Sequence, residues 1–255
     1  MIDNYKNAFD VSGRVIAVTG AASGIGRTLS LALISLGATV AGLDVEKDRL
    51  HQVETEANSE SFLAVPVDIR HRSEVDAAAV AVAERFGRID GLVNCAAVVG
   101  RYPATEFPED EWDRQLSINL KGTFLCCQAF GRYMVKQRSG KIVNFASVAG
   151  IRANPIGVAY QASKGGVIHL TRALALEWAP YKVNVNVVAP SVVMTPQQEY
   201  LRALDPKFFD VLVSRIPLGR AIEPEELVPS VVLLLSAASD QITGHLLAVD
   251  GGYLL

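Results

Sequence analysis

The chain has 255 residues, half of them apolar and a fifth charged, a balance that excludes collagen, intrinsic disorder and a small disulfide scaffold. Its 24 basic and 27 acidic residues leave a net charge of −3, without the basic excess that phosphate neutralisation requires, so nucleic acid is excluded as a main partner. The three cysteines (Cys95, Cys126 and Cys127) form no CxxC pair and read as free thiols in a reducing compartment.

Two kinds of segment then alternate along the chain. Residues 14–19 (RVIAVT) are an apolar run of the sort buried in a parallel strand. A helix pattern follows from 24 to about 36, stopped by Gly37. Further strands are expected at 39–43, 62–67, 91–93, 141–145, 183–189 and 245–249, with helices at about 46–58, 72–86, 109–137, 158–178 and 224–236. Seven strands alternating with six helices predict a single α/β domain, a doubly wound, mostly parallel sheet covered on both faces. The one sizeable irregular stretch, 191–220, is expected to be a substrate loop or lid. Asp3, Lys6 and Asp10 stand where a signal peptide needs an apolar core. The most apolar stretch, 227–238, contains Pro229 and Ser230 and is too short to span a bilayer. A soluble cytoplasmic protein with no membrane association is expected.

The first strand runs into Gly20, Ser23, Gly24, Ile25 and Gly26, within TGAASGIG. Glycines at a strand-to-helix junction permit a tight turn and close backbone approach to a pyrophosphate, and the helix N-terminus then offers its free N–H groups. Asp44, with Val45 after it, closes the second strand, 18 residues beyond Gly26, where an acidic side chain bonds the adenosine ribose hydroxyls. A 2′-phosphate there would meet a carboxylate at a cost of roughly 1–4 kcal/mol, and neither Ser23 nor Val45 offsets it, which predicts NAD over NADP. Asp68 and Ile69 follow the third strand and Asn94 to Ala97 the fourth, at the carboxyl ends where such sheets bind ligands; Asp68 is placed to accept the adenine amino group.

Tyr160 and Lys164, four apart on one expected helix, share a face. Removing an alcohol proton near neutral pH needs a base, and a nearby ammonium together with an oxidised nicotinamide stabilises tyrosinate. Ser147, just past the fifth strand, is placed to hold the substrate oxygen, and Asn119 to organise a proton path to Lys164.

With TGAASGIG, Asp44, Asp68, NCAA at 94–97, Asn119, Ser147, YQASK at 160–164, AP at 189–190, Thr195 and VDGGY at 249–253 in order, the chain resembles the short-chain dehydrogenase/reductase family along nearly its whole length. The resemblance implies Asn119, Ser147, Tyr160 and Lys164 as a catalytic tetrad, with Lys164 also gripping the nicotinamide ribose. It implies cofactor contacts at Ala96, Pro190, Val193 and Thr195, a sheet in the order 3-2-1-4-5-6-7, and a homotetramer. Two places depart from the family pattern. NCAA replaces NNAG, so Cys95 and Ala97 are unusual, and Ser191 follows Pro190 where glycine is usual, so that turn must avoid positive φ or bear strain.

Val98, Ile151, Ile156 and Val192 make the expected substrate wall apolar, with Asn154, Gln161 and Ser147 as polar contacts. Arg101 and Arg152 fall in segments that rim it, where a solvated loop arginine is the preferred reading over a carboxylate clamp. The four histidines show no metal-ligand spacing, so no catalytic metal is expected. The reading is an NAD-dependent oxidoreductase interconverting a ketone and a small-molecule secondary alcohol (polyol, sugar-like or cyclic). An NADPH-type 3-oxoacyl-thioester or carbonyl reductase is the alternative, and a non-catalytic NAD-binding sensor or scaffold the competitor from another class.

Overall fold

The computed structural model describes residues 7–57 and 60–255. Asp3, Lys6 and the expected helix end at residue 58 lie outside the described residues. Among the described residues seven strands form one all-parallel sheet: β1 Val15–Thr19, β2 Thr39–Asp44, β3 Phe62–Pro66, β4 Gly91–Asn94, β5 Gly140–Phe145, β6 Val183–Pro190 and β7 Leu246–Val249, in the order β3-β2-β1-β4-β5-β6-β7. β1, β4 and β5 are buried along their whole length, which is why apolar residues occupy both of their faces instead of alternating with polar ones. The start of β1 is pinned by Asp90, whose Oδ2 accepts from the Val15 amide at 2.9 Å while Arg88 holds Oδ1.

Helices cover both faces. Against one face pack α3 (Arg72–Phe86), α5 (Thr123–Gln137) and α6 (Val158–Trp178), around Leu92, Phe130 and Ile142. Against the other pack α1 (Gly24–Ser35), α2 (Lys47–Ala57) and α9 (Val228–Leu235), around Ile16, Leu33 and Val40. The expected helix over 109–137 is interrupted. Following α4 (Glu109–Leu116), a π-helical turn spans Ser117–Gly122 before α5 begins. The stretch expected to be irregular holds two short helices, α7 (Pro196–Leu204) and α8 (Pro206–Val213). Each opens on a proline at its first position, where the missing N–H costs nothing, with Thr195 and Asp205 as caps.

Strand order reverses between β1 and β4. Helices diverge to opposite faces there, which opens a crevice at the carboxyl ends of the strands. A cleft of about 1460 Å³ occupies it. Among the described residues no helix is long and apolar enough to cross a membrane.

Candidate active site

The glycine-rich turn leaves β1 in a path that only glycine follows. Gly20 and Gly24 have φ of +70° and +50°. A Cβ on Gly20 would come within 3.0 Å of the Ala96 backbone, and one on Gly26 would lie 2.2 Å from the Gly20 carbonyl oxygen. The Thr19 hydroxyl accepts from the Cys95 and Ala96 amides, both at 3.1 Å, and so locks the ends of β1 and β4 together. At the start of α1 the Ser23 side chain makes no capping bond and the first turn carries no acidic residue. Free N–H groups and an uncompensated positive helix end therefore face the cleft at Ser23, Gly24, Ile25 and Gly26.

Asp44 stands beside this turn. Its carboxylate accepts from the Ala22 amide (3.0 Å) and the Glu46 amide (3.0 Å), which fixes it at the cleft wall next to Val45. Asp68 also lines the cleft, but Arg70 clamps both of its oxygens (3.0 and 2.9 Å from Nε), and this guanidinium holds the carboxyl below its ordinary range. Ile69 lines the cleft too and packs over Gly122, where a Cβ would meet its Cδ1 at 2.7 Å. Asn94 is placed elsewhere. Its side chain is buried, donating to Asn144 Oδ1 at 2.8 Å across the β4–β5 pairing, and only its neighbours Cys95, Ala96 and Ala97 reach the cleft. Burial pushes the Cys95 thiol up, away from the thiolate form. Neither Ala97 nor Ser191 adopts positive φ, so the departures from the family pattern impose no left-handed backbone.

Ser147, Tyr160 and Lys164 converge at the other end of the cleft. Ser147 follows β5 and caps the short turn Val148–Gly150, its hydroxyl accepting from the Ala149 amide at 3.1 Å. Gly150 lies directly on α6. A Cβ there would be 2.7 Å from the Lys164 carbonyl carbon, and this close seat brings Ser147 to Tyr160. Burial raises the Tyr160 phenol, opposed by the Ser147 hydroxyl and then by the charge of Arg101. Lys164 shares the Tyr160 face of α6. It is buried, donates to the Phe145 carbonyl oxygen at 2.8 Å, and is lowered to about 8 by that burial, its Nζ sitting 5.7 Å from the centre of the Tyr160 ring. Asn119 is wholly buried in the π-helical turn and does not line the cleft. Its amide oxygen accepts from the Val98 amide at 2.8 Å, and its nitrogen donates to the Val98 carbonyl (2.9 Å) and Ser163 Oγ (3.1 Å). It thereby ties the chain after β4 to α6, without a direct bond to Lys164.

Pro190, Val192, Val193 and Thr195 form the far wall, held by a bridge between Val193 and Ile222. Val98 and Asn154 face them. The Asn154 side-chain oxygen accepts from Arg215 (2.9 Å) and from the Tyr253 hydroxyl (3.0 Å), and Gln161 brackets its backbone. Ile151 does not join this wall: it ends the Val148–Gly150 turn and stays exposed. Arg152 is likewise spent elsewhere, on the Tyr253 carbonyl. The cleft also gathers Phe208 of α8, Arg215 just beyond it, and Tyr253 near the chain end, none of them marked as a pocket residue by local sequence. Only the VDGGY motif pointed toward Tyr253.

These residues fit a nicotinamide dinucleotide. The glycine turn is a cradle that a Cβ would fill, the α1 terminus suits its pyrophosphate, and Asp44 offers acceptors for ribose hydroxyls. The family model described as "Enoyl-(Acyl carrier protein) reductase" matches residues 20–254. An NAD-dependent glycerol dehydrogenase of Listeria innocua is 38% identical over 98% of this chain and 98% of its own. A D-threitol dehydrogenase of Mycolicibacterium smegmatis is 41% identical over 97% and 95%. The crystal structure of a short-chain type dehydrogenase/reductase from Mycobacterium marinum superposes with a TM-score of 0.91 at 35% identity, covering 97% of this chain and 98% of that one. The chain belongs to the short-chain dehydrogenase/reductase family, nicotinamide-dependent oxidoreductases that interconvert alcohols and carbonyl compounds.

Proposed function

We propose that the protein is an NAD-dependent dehydrogenase of polyols or sugar-like secondary alcohols, with Tyr160 as the acid/base. The observation that carries this reading is the convergence of Ser147, Tyr160 and Lys164 at one end of a cleft whose other end holds Asp44. When bound, the nicotinamide supplies the hydride acceptor for oxidation and the donor for reduction. Ser147 holds the substrate oxygen against Tyr160, which takes the hydroxyl proton in oxidation and returns it to the carbonyl oxygen in reduction. Lys164 binds the cofactor ribose, and its charge favours tyrosinate whenever it is protonated. Asn119 acts as a positioning residue, fixing Val98 and the base of α6. α7 and α8 cover the substrate end as a lid. Asp44 favours NAD, because a 2′-phosphate would bring like charge against a carboxylate already fixed in place. The free thiols suit the cytoplasm, and an exposed apolar residue such as Leu176 on α6 suits assembly as a homotetramer.

The test supplies NAD or NADP with a panel of polyols, sugars, cyclic alcohols and 3-hydroxyacyl thioesters while NADH or NADPH absorbance is followed. Polyol turnover with NAD, lost by about 10²–10⁴-fold in Tyr160→Phe with NADH binding kept, is the expected result. Preference for NADPH with a thioester would instead assign the oxoacyl reductase. NAD binding with no turnover of any substrate would assign a sensor.

A further inference from the structure

We infer that Arg101 makes this site selective for a polyhydroxy substrate that ends in a carboxylate, gripped by the guanidinium at the end of the cleft away from Asp44. The inference rests on the dehydrogenase reading above and names its substrate class.

Arg101 lies between β4 and α4, half-buried in the cleft wall, with its guanidinium over the Phe208 ring of α8 at 5.5 Å from the centroid. Among the described residues it has no carboxylate partner and no hydrogen bond. Of the other arginines lining the cleft, Arg27 pairs with Glu56, Arg70 with Asp68 and Arg114 with Glu111, while Arg49 belongs to α2 at the nucleotide end. The acids lining the cleft are Asp44, Glu46 and Asp68, all at the ends of β2 and β3 beside the glycine turn. Among the described residues the substrate end is lined by two arginines and no acid, and the second, Arg215, donates to Asn154. A cation drawn out of water without a counter-ion is costly, and a ligand anion removes that cost. Burial accordingly depresses the Arg101 pKa, and its charge reaches the Tyr160 phenol. Arg101 and Tyr160 line the same cleft, so the anion and the reacting hydroxyl belong to one small molecule. A planar carboxylate matches the guanidinium fork, and Asn154 and Gln161 suit the hydroxyls between.

The test pairs four- to six-carbon aldonates with their alditols, which differ only in carboxylate against hydroxymethyl at one end, and adds alditol phosphates. Initial rates with NAD are measured on the full chain, and binding of each aldonate to the enzyme–NADH complex is measured by calorimetry. The expected result is an aldonate preferred over its alditol in kcat/KM, with Arg101→Gln shrinking that preference by about 10- to 100-fold, mainly through KM, and Arg101→Lys restoring part of it. Calorimetry should show the same loss of aldonate affinity. Equal losses on aldonate and alditol in Arg101→Gln, or alditols preferred throughout, would overturn the inference while leaving the dehydrogenase reading intact. An Arg101-dependent preference for the alditol phosphate would overturn the carboxylate in favour of a phosphate. If nothing on the panel turned over, the dehydrogenase reading would fail, and aldonate binding that ignores Arg101 would overturn the inference separately.

Discussion

Lys164 shows how one side chain can cost stability in order to serve a site. Its ammonium is buried against the Phe145 carbonyl and its pKa falls from 10.5 to about 8. Below pH 8 the folded and unfolded chains both carry the charge, and the folded protein bears the whole burial cost. Between pH 8 and 10.5 the folded chain sheds its proton first, so stability rises with pH. Lys164→Met should therefore abolish turnover yet stabilise the cofactor-free protein at pH 7, by on the order of 1–3 kcal/mol. Thermal unfolding across the pH range checks it, with the gap between the two proteins closing as pH passes from 8 toward 10.5. A wild type that is the more stable of the two at pH 7 would contradict this account.

At the scale of elements, the site depends on how closely a short turn sits on a helix. Gly150 leaves no room for a Cβ against the α6 backbone, whereas the nucleotide end is built by different segments. Gly150→Ala should push the Val148–Gly150 turn off α6 at a cost of about 1–3 kcal/mol and separate Ser147 from Tyr160. The expected outcome is a kcat lowered at least tenfold with NADH affinity retained, measured by steady-state kinetics beside fluorescence titration. Gly150 was invisible in the sequence because its partner is the backbone at Lys164, and such a seat has no residue signature. Strand positions, the α6 limits of Val158 and Trp178, and the glycine turn were legible, since apolar runs and glycine spacing are local properties. Local signals for α7 and α8 were present too. Thr195-Pro196 and Asp205-Pro206 are cap-and-proline starts, but the polar composition around them masked the helices. No local signal announced the π-helical turn, because SINLKG suits an ordinary helix and only the bonds from Asn119 to Val98 and Ser163 show what the turn serves. The half-burial of Arg101 is illegible for the same reason, since Phe208, over which it stacks, lies on α8, whose helix the composition masks.

For the whole molecule, the exposed apolar side chains bear on assembly. Leu176 on α6 is 82% exposed although its helix neighbours Leu174 and Ala175 are buried. Light scattering after size exclusion should give a single species of four chains, and Leu176→Glu should reduce it to smaller forms without unfolding. A wild-type monomer would refute the tetramer. The topology also has a consequence in time. β1 pairs with β2 through a nearby crossover, but its other edge waits for β4, and the bond from the Val15 amide to Asp90 joins residues 75 apart. Closing so long a loop is entropically expensive and makes such pairings slow to form. That seam is also where strand order reverses and the cleft opens. Competence to bind a dinucleotide thus arrives with one of the slowest joins in the sheet, so that in refolding NADH binding marks the chain's completion and not its collapse.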